Sequence, residues 1–213
     1  MKNTKEKILT AALALFARQG YQATSVSTIA SELKLTKGAL YKHYKNKEDI
    51  FTSILKKMGL NEEQIIPVKA DAGELPFEKE FFDAVISVDS YNYFGRDKDF
   101  PDDKLLPFLK SGGYVYIAIP GMKKDCHDNL PRELTLSRNA EQLDYIHDAK
   151  YRSKIVGACR DADVISVNEM ESNEEVWADW LKQENEYAVG DRRTMEAGGG
   201  KYLNFIKIVL KKK

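Results

Sequence analysis

The sequence predicts two unlike parts: an all-helical module over residues 1–58 and a partial, mostly parallel α/β body over residues 59–213. Three observations carry that reading. Apolar residues recur at helical spacing through the first 58 positions, with Ser, Thr and Asn where helices would start. Beyond residue 64, short β-branched runs alternate with helical stretches, the pattern of an α/β layer. The charge divides at the same place. Residues 1–58 hold 11 basic and 4 acidic side chains, net +7, and residues 59–213 hold 22 and 29, net −7. The neutral total of 33 against 33 hides this split.

In the module, Asn3 is suited to cap a first helix, with Glu6 as its reciprocal partner. Ile8, Ala11, Ala12, Leu15 and Phe16 form one apolar stripe, and Gly20 stands where a helix would stop. Ser25 starts a short second helix through Val26, Ile29, Ala30 and Leu33. Lys34 and Leu35 make a tight turn, and Thr36 caps a third helix reaching about Tyr44. Asn46, with Asp49 three residues on, caps a fourth helix that runs to about Lys57. A short helix, a tight turn and another short helix is the helix-turn-helix spacing.

In that arrangement the start of the third helix, Thr36-Lys37-Gly38-Ala39, would enter a major groove. Lys37 can donate to guanine O6 or N7. Gly38 and Ala39 are small enough to let the backbone approach the base edges, and Ala39 can touch a thymine methyl. Tyr41, Lys42, His43, Tyr44 and Lys47 bring donors for phosphate, and Thr28 can clamp the flanking backbone. Each also has a plainer use: Tyr41 and Tyr44 suit a bundle core, His43 a surface, and Lys47 a solvated face.

Three runs, F-A-R-Q-G-Y at 16–21, T-S-V-S-T-I-A at 24–30 and T-K-G-A-L-Y-K-H-Y-K-N-K-E-D at 36–49, sit within residues 8–54. This stretch closely resembles the DNA-binding domain of the tetracycline-repressor (TetR) family. The resemblance implies a dimeric repressor whose third helix reads the major groove. Lys37 and the first turn would meet bases; Tyr41, Tyr44 and Lys47 would meet phosphate.

In that family an all-helical ligand-binding domain normally follows, and here the chain departs from it. Strands are expected at 65–69, 84–88, 114–119, 164–167 and 205–210, with helices at 102–109, 138–159 and 174–185. The runs at 58–72, F-D-A-V-I-S-V-D-S-Y at 82–91, L-K-S-G-G at 109–113, W-A-D-W at 177–180 and G-G-G-K-Y-L-N-F at 198–205 look like the second half of a class I S-adenosylmethionine-dependent methyltransferase. By that resemblance Asp71 and Ala72 form the adenine-side loop. Asp89 and Tyr91 follow the next strand, and Tyr91, Tyr93, Trp177, Trp180, Tyr187 and Asp191 line an acceptor pocket. Each again has a plainer use: Asp71 and Asp89 as turn caps, and the aromatics as core or interface residues.

The family's opening strand, glycine-rich turn and acid-ended second strand have no counterpart here. Gly198-Gly199-Gly200 precedes a strand rather than following one. The expectation is therefore a regulator and not an enzyme, with no cofactor, catalytic residue or metal ligand assigned. Its partners would be double-stranded DNA, a second copy of itself and a small-molecule effector. Adenosylmethionine stays open as a ligand. The rival readings are a methyltransferase with an incomplete cofactor site and a non-functional fusion of the two parts. No apolar run approaches the ~20 residues of a membrane span. The charged start does not resemble a secretory signal, and two cysteines cannot build a disulfide framework. A cytoplasmic location follows as an expectation.

Overall fold

A computed structural model describes residues 4–60, 68, 70–184 and 186–213. The chain forms two compact units, Met1–Lys69 and Ala70–Lys213. That division lies beyond the join expected at residues 58 and 59. Asn3 and most of the expected strand at 65–69 lie outside the described residues.

Among its described residues the first unit has four helices, α1 (Thr4–Ala23), α2 (Val26–Glu32), α3 (Lys37–Tyr41) and α4 (Lys47–Lys57). Helix α1 continues past Gly20, so that glycine does not end it. The later helices start where the sequence places polar caps. Ser25 Oγ accepts from the Thr28 amide, Thr36 Oγ1 from the Ala39 amide and Asn46 Oδ1 from the Asp49 amide. The turn between α2 and α3 needs a left-handed residue, which Lys34 supplies at φ 54°. Ile8, Ala12 and Leu15 of α1 close over Ile29, Ala30, Leu40, Tyr44, Ile50 and Ile54 as one buried cluster. Each large aliphatic removed from water there contributes on the order of 1.5–3 kcal/mol. Short helices that would not hold alone are stabilised by that packing.

The second unit contains a four-stranded sheet in the order β1-β2-β4-β3. Its strands are β1 (Phe82–Val88), β2 (Leu109–Met122), β3 (Ala162–Glu169) and β4 (Leu203–Lys212). The expectation of a mostly parallel sheet needs refinement. β1 and β2 pair in parallel, but β4 lies antiparallel to both β2 and β3. Three strands thus point one way, while inserting the fourth between two of them makes two of the three pairings antiparallel. The expected helix at 138–159 is broken into α6 (Ala140–Leu143) and α7 (Ala149–Val156), after α5 (Tyr91–Phe94). Asn139 and Asp148 each cap a new start. The stretch expected at 174–185 forms α8 (Asn173–Trp180) and is followed by α9 (Glu186–Glu196).

The sheet has two different faces. Val115, Ile117, Ile119, Ile206, Ile208 and Leu210 point into a core with Tyr91, Phe100 and Leu106. The alternate residues point the other way. On that side Ile86 is 74% exposed and Val88 68%, and Tyr116, the register partner of Ile86, is 42% exposed. A further cluster packs Met122, Leu134, Leu143, Ile146, Trp177 and Leu203 beyond the end of β2.

Candidate functional site

In the helical unit, the Thr36 cap presents the start of α3 outward. Lys37 and Gly38 are exposed, Ala39 is half-buried, and Leu40 is fully buried as the anchor of the helix. Tyr41, Lys42 and His43 follow as exposed side chains, with Tyr41 at 49%. Thr28 is half-buried, and its hydroxyl lies 2.9 Å from Ser25 Oγ at the start of α2. Thr36 is exposed as well, so Thr36, Lys37, Gly38, Tyr41, Lys42 and His43 are open to solvent, with Ala39 and Thr28 half-buried among them.

Two members of the expected set are placed differently. Tyr44 is 2% exposed, and its hydroxyl donates to the Lys5 carbonyl at 3.2 Å. Burial, and then the Asp49 charge, push its pKa up. Lys47 donates to the Tyr21 carbonyl at 2.7 Å, with its ammonium 4.1 Å from the Tyr21 ring centre. Both side chains tie α1 to the later helices, the plainer use that the sequence left open for Tyr44.

In the second unit, Asp71 accepts from the Gly73 amide at 2.7 Å and so caps its own turn; Ala72 is half-buried beside the main core. Asp89 follows β1 in a left-handed conformation, φ 53°. Its side chain reaches solvent, yet crowding desolvates the carboxylate and raises its pKa. Arg138 opposes the rise and Asp191 adds to it. Tyr91 is 2% exposed in the core, where burial pushes its hydroxyl pKa up; Trp177 packs on Phe205. Tyr93 lies against the Tyr145 ring at 5.2 Å, and Tyr187 is exposed. Trp180 donates its indole N–H to Asp191 Oδ2 at 2.9 Å. Asp191 also receives Arg138 at 2.7 Å and the Ser137 hydroxyl at 3.3 Å. The structure thus joins Trp180, Asp191 and, through charge, Asp89. It places Tyr91 and Trp177 in hydrophobic clusters and Asp71 in a separate turn.

Sequence reasoning missed Arg138 and Ser137, whose partner Asp191 lies more than 50 positions away. It also passed over Asp125, His127 and His147, which converge beyond the end of β2. The His127 amide hydrogen bond lowers the Asp125 pKa, against burial, and His127 itself adds to the fall. Burial would lower the His127 pKa, but its bond to Asp125 and nearby acidic charges raise it overall. Burial, then the Arg152 and His127 charges, lower that of His147. The only local sign was the D-x-H spacing at 125–127.

A family profile described as bacterial regulatory proteins, tetR family, matches residues 8–54. The HTH-type transcriptional regulator AcrR of Shigella flexneri is 43% identical over 53 residues, 25% of this chain and 25% of its own. QacR of Staphylococcus aureus is 45% identical over 53 residues, 25% of this chain and 28% of its own. An uncharacterized HTH-type regulator of Bacillus subtilis, YerO, is 36% identical over 80 residues, 37% of this chain and 28% of its own. The chain therefore spans about a quarter of the length of these relatives.

Among solved structures, geranyl diphosphate C-methyltransferase from Streptomyces coelicolor A3(2) aligns with TM-score 0.56 at 13% identity. It covers 78% of this chain and 58% of its own. A Galdieria sulphuraria structure named for a sarcosine dimethylglycine methyltransferase aligns with TM-score 0.55 at 16% identity, covering 99% and 85%. A tetR-type helical domain and a methyltransferase-like α/β fold thus stand in one chain. The expectation that the chain is not an enzyme is corrected. Its structural neighbours over most of its length are methyltransferases, so it carries an enzyme's fold.

The Streptomyces coelicolor neighbour is in complex with S-adenosyl-L-homocysteine. Among the described residues, β1 is the last strand on its side of the sheet, and its Ile86 and Val88 are open to solvent. The Asp71 carboxylate is engaged in its own turn, and the sequence has no glycine-rich turn following a strand. The residues present do not by themselves fit a whole cofactor.

Proposed function

We propose that this protein is a DNA-binding transcriptional regulator acting as a repressor, with residues 1–58 as the reader and the α/β body as dimerisation and effector domain. The observation that carries this reading is the Thr36-capped helix α3. It exposes Lys37, Gly38, Tyr41, Lys42 and His43 while Leu40 anchors it, within the segment that matches the tetR family. Thr28, Thr36 and Ala39 complete the contact set. Tyr44 and Lys47 hold the module in shape. The +7 charge of this part favours a polyanion, and the −7 charge of the body disfavours one.

Two copies would set their α3 helices in successive major grooves, about 34–36 Å apart, over a near-palindromic site. The exposed apolar side chains Ile86, Val88 and Tyr116 support self-association through the body. The proposed location is the cytoplasm, where DNA is met; among the described residues no helix is long and apolar enough to cross a membrane.

The test is a selection of bound duplexes from a random pool. A near-palindromic half-site should emerge, and Lys37→Ala should lose preference at one or two positions, each worth about 1–3 kcal/mol. An unenriched pool, or a Lys37→Ala profile identical to the parent, would refute the reading.

A second reading is favoured by the fold of the solved neighbours: methyl transfer by an assembly in which another copy supplies the missing side of the cofactor site. Saturable adenosylmethionine binding by the dimer, with a methylated product, would support it.

A further inference from the structure

Asp125, His127 and His147 each bring one donor atom within 4.8 Å of the other two. The backbone fixes them there. The Met122 amide, at the end of β2, donates to the His147 carbonyl at 3.0 Å. Asp148 caps α7 and also receives the Asp125 amide at 3.3 Å. Asp125 Oδ1 accepts from the His127 amide at 3.0 Å.

The tautomer of His127 follows from its partners. Its Nε2 lies 3.1 Å from the Leu143 carbonyl, which can only accept, so Nε2 carries the hydrogen. On a neutral ring Nδ1 is then bare, and it faces Asp125 Oδ1 at 2.9 Å. Two lone-pair atoms at that separation need a proton or a cation between them. An imidazole whose far N–H is held by a carbonyl is also how metal-bound histidines are oriented.

His147 supplies the second observation. It is 7% exposed, neither ring nitrogen has a hydrogen-bond partner, and Tyr151 stacks on the ring at 3.7 Å. Buried polar atoms are seldom left so. Its Nδ1 is 3.7 Å from Asp125 Oδ2, too long for a hydrogen bond. Two ligands on a tetrahedral zinc, with bonds of about 2.0–2.1 Å, stand about 3.3 Å apart. The gap is close to the size of an ion.

We infer that Asp125, His127 and His147 form a binding site for a divalent transition-metal cation of the zinc class, with one coordination position left for water or a ligand. Two nitrogens and one carboxylate suit zinc or its neighbours better than magnesium or calcium. Cys126 is not needed, since its thiol contacts the Met122 sulfur at 3.6 Å instead. The site stands beyond the carboxyl end of β2, the side on which α/β sheets take their ligands.

The test is calorimetric titration of the chelator-treated full chain with zinc chloride, repeated with cobalt(II) followed by absorbance. One zinc per chain is expected, with nitrogen- and oxygen-type cobalt bands. Asp125→Asn and His147→Gln should each weaken binding by at least about tenfold. Cys126→Ser should leave it unchanged. Asp125 is 44% exposed on its side chain, and Asn can still accept the His127 amide, so that variant decides if His147→Gln fails to fold. Absence of stoichiometric binding, binding unaltered by Asp125→Asn, or a thiolate-to-cobalt band would overturn the site.

Discussion

Among the described residues Arg152 is the largest fully buried side chain, and it forms no salt bridge. It donates to the Gly95 carbonyl and to the Tyr145 carbonyl, each at 2.7 Å. Desolvation lowers its pKa, partly offset by Tyr91 and Tyr151. A buried guanidinium that closes two loops with charge-assisted bonds contributes on the order of 1.5–3 kcal/mol per bond. Arg152→Ala should therefore destabilise the body by at least about 3 kcal/mol, read as a lower urea midpoint with the helical unit unaffected. Nothing at residue 152 announced this, because a lone arginine in a helix of mixed polarity reads as surface. Tyr44 and Lys47 teach the same lesson in the other module. Their chemistry suits phosphate, and only the folded chain reveals that the Tyr44 hydroxyl is spent on the Lys5 carbonyl and that Lys47, half-buried, bonds the Tyr21 carbonyl.

Among the elements, the segment before β2 and the segment before β3 are tied by one carboxylate. Asp102 is 6% exposed and accepts from the Arg160 and Asp161 amides at 2.9 and 3.1 Å and from Arg160 Nε at 3.3 Å. Burial alone would raise its pKa, but these bonds together lower it. A carboxyl group with a depressed folded pKa stabilises the fold above its unfolded value, about 3.9, and that contribution is lost as pH falls through the folded value. Acid titration of thermal stability should thus steepen below about pH 4. Asp102→Asn should flatten that limb and cost about 1–3 kcal/mol at neutral pH. Elements with local signals were legible. All three caps of the later helices fall at Ser25, Thr36 and Asn46 as the spacing implies, and four expected strand cores lie within β1 to β4. What escaped depends on tertiary contacts. The break between α6 and α7 arises where His147 is tied to the sheet, and the direction of pairing arises from where β4 inserts.

At the scale of the whole molecule, two units with separate buried clusters should melt as two transitions. Calorimetry of the full chain should resolve them, and limited proteolysis between the two should release a helical fragment. A single transition that shifts as one under Arg152→Ala would contradict that independence. The metal-type cluster belongs to this scale as well: its residues fall on two loops about 20 positions apart, so no window of sequence could display it. The position of β4 has a consequence for how the chain is made. It follows both β2 and β3 in sequence but sits between them, so neither neighbour has its full set of backbone partners until residues 203–212 have left the ribosome. The reader module can fold as soon as it emerges, whereas the body must wait, half-built, for β4. Deleting 203–212 should accordingly abolish the body's cooperative unfolding and leave the helical signal of residues 4–57 in place.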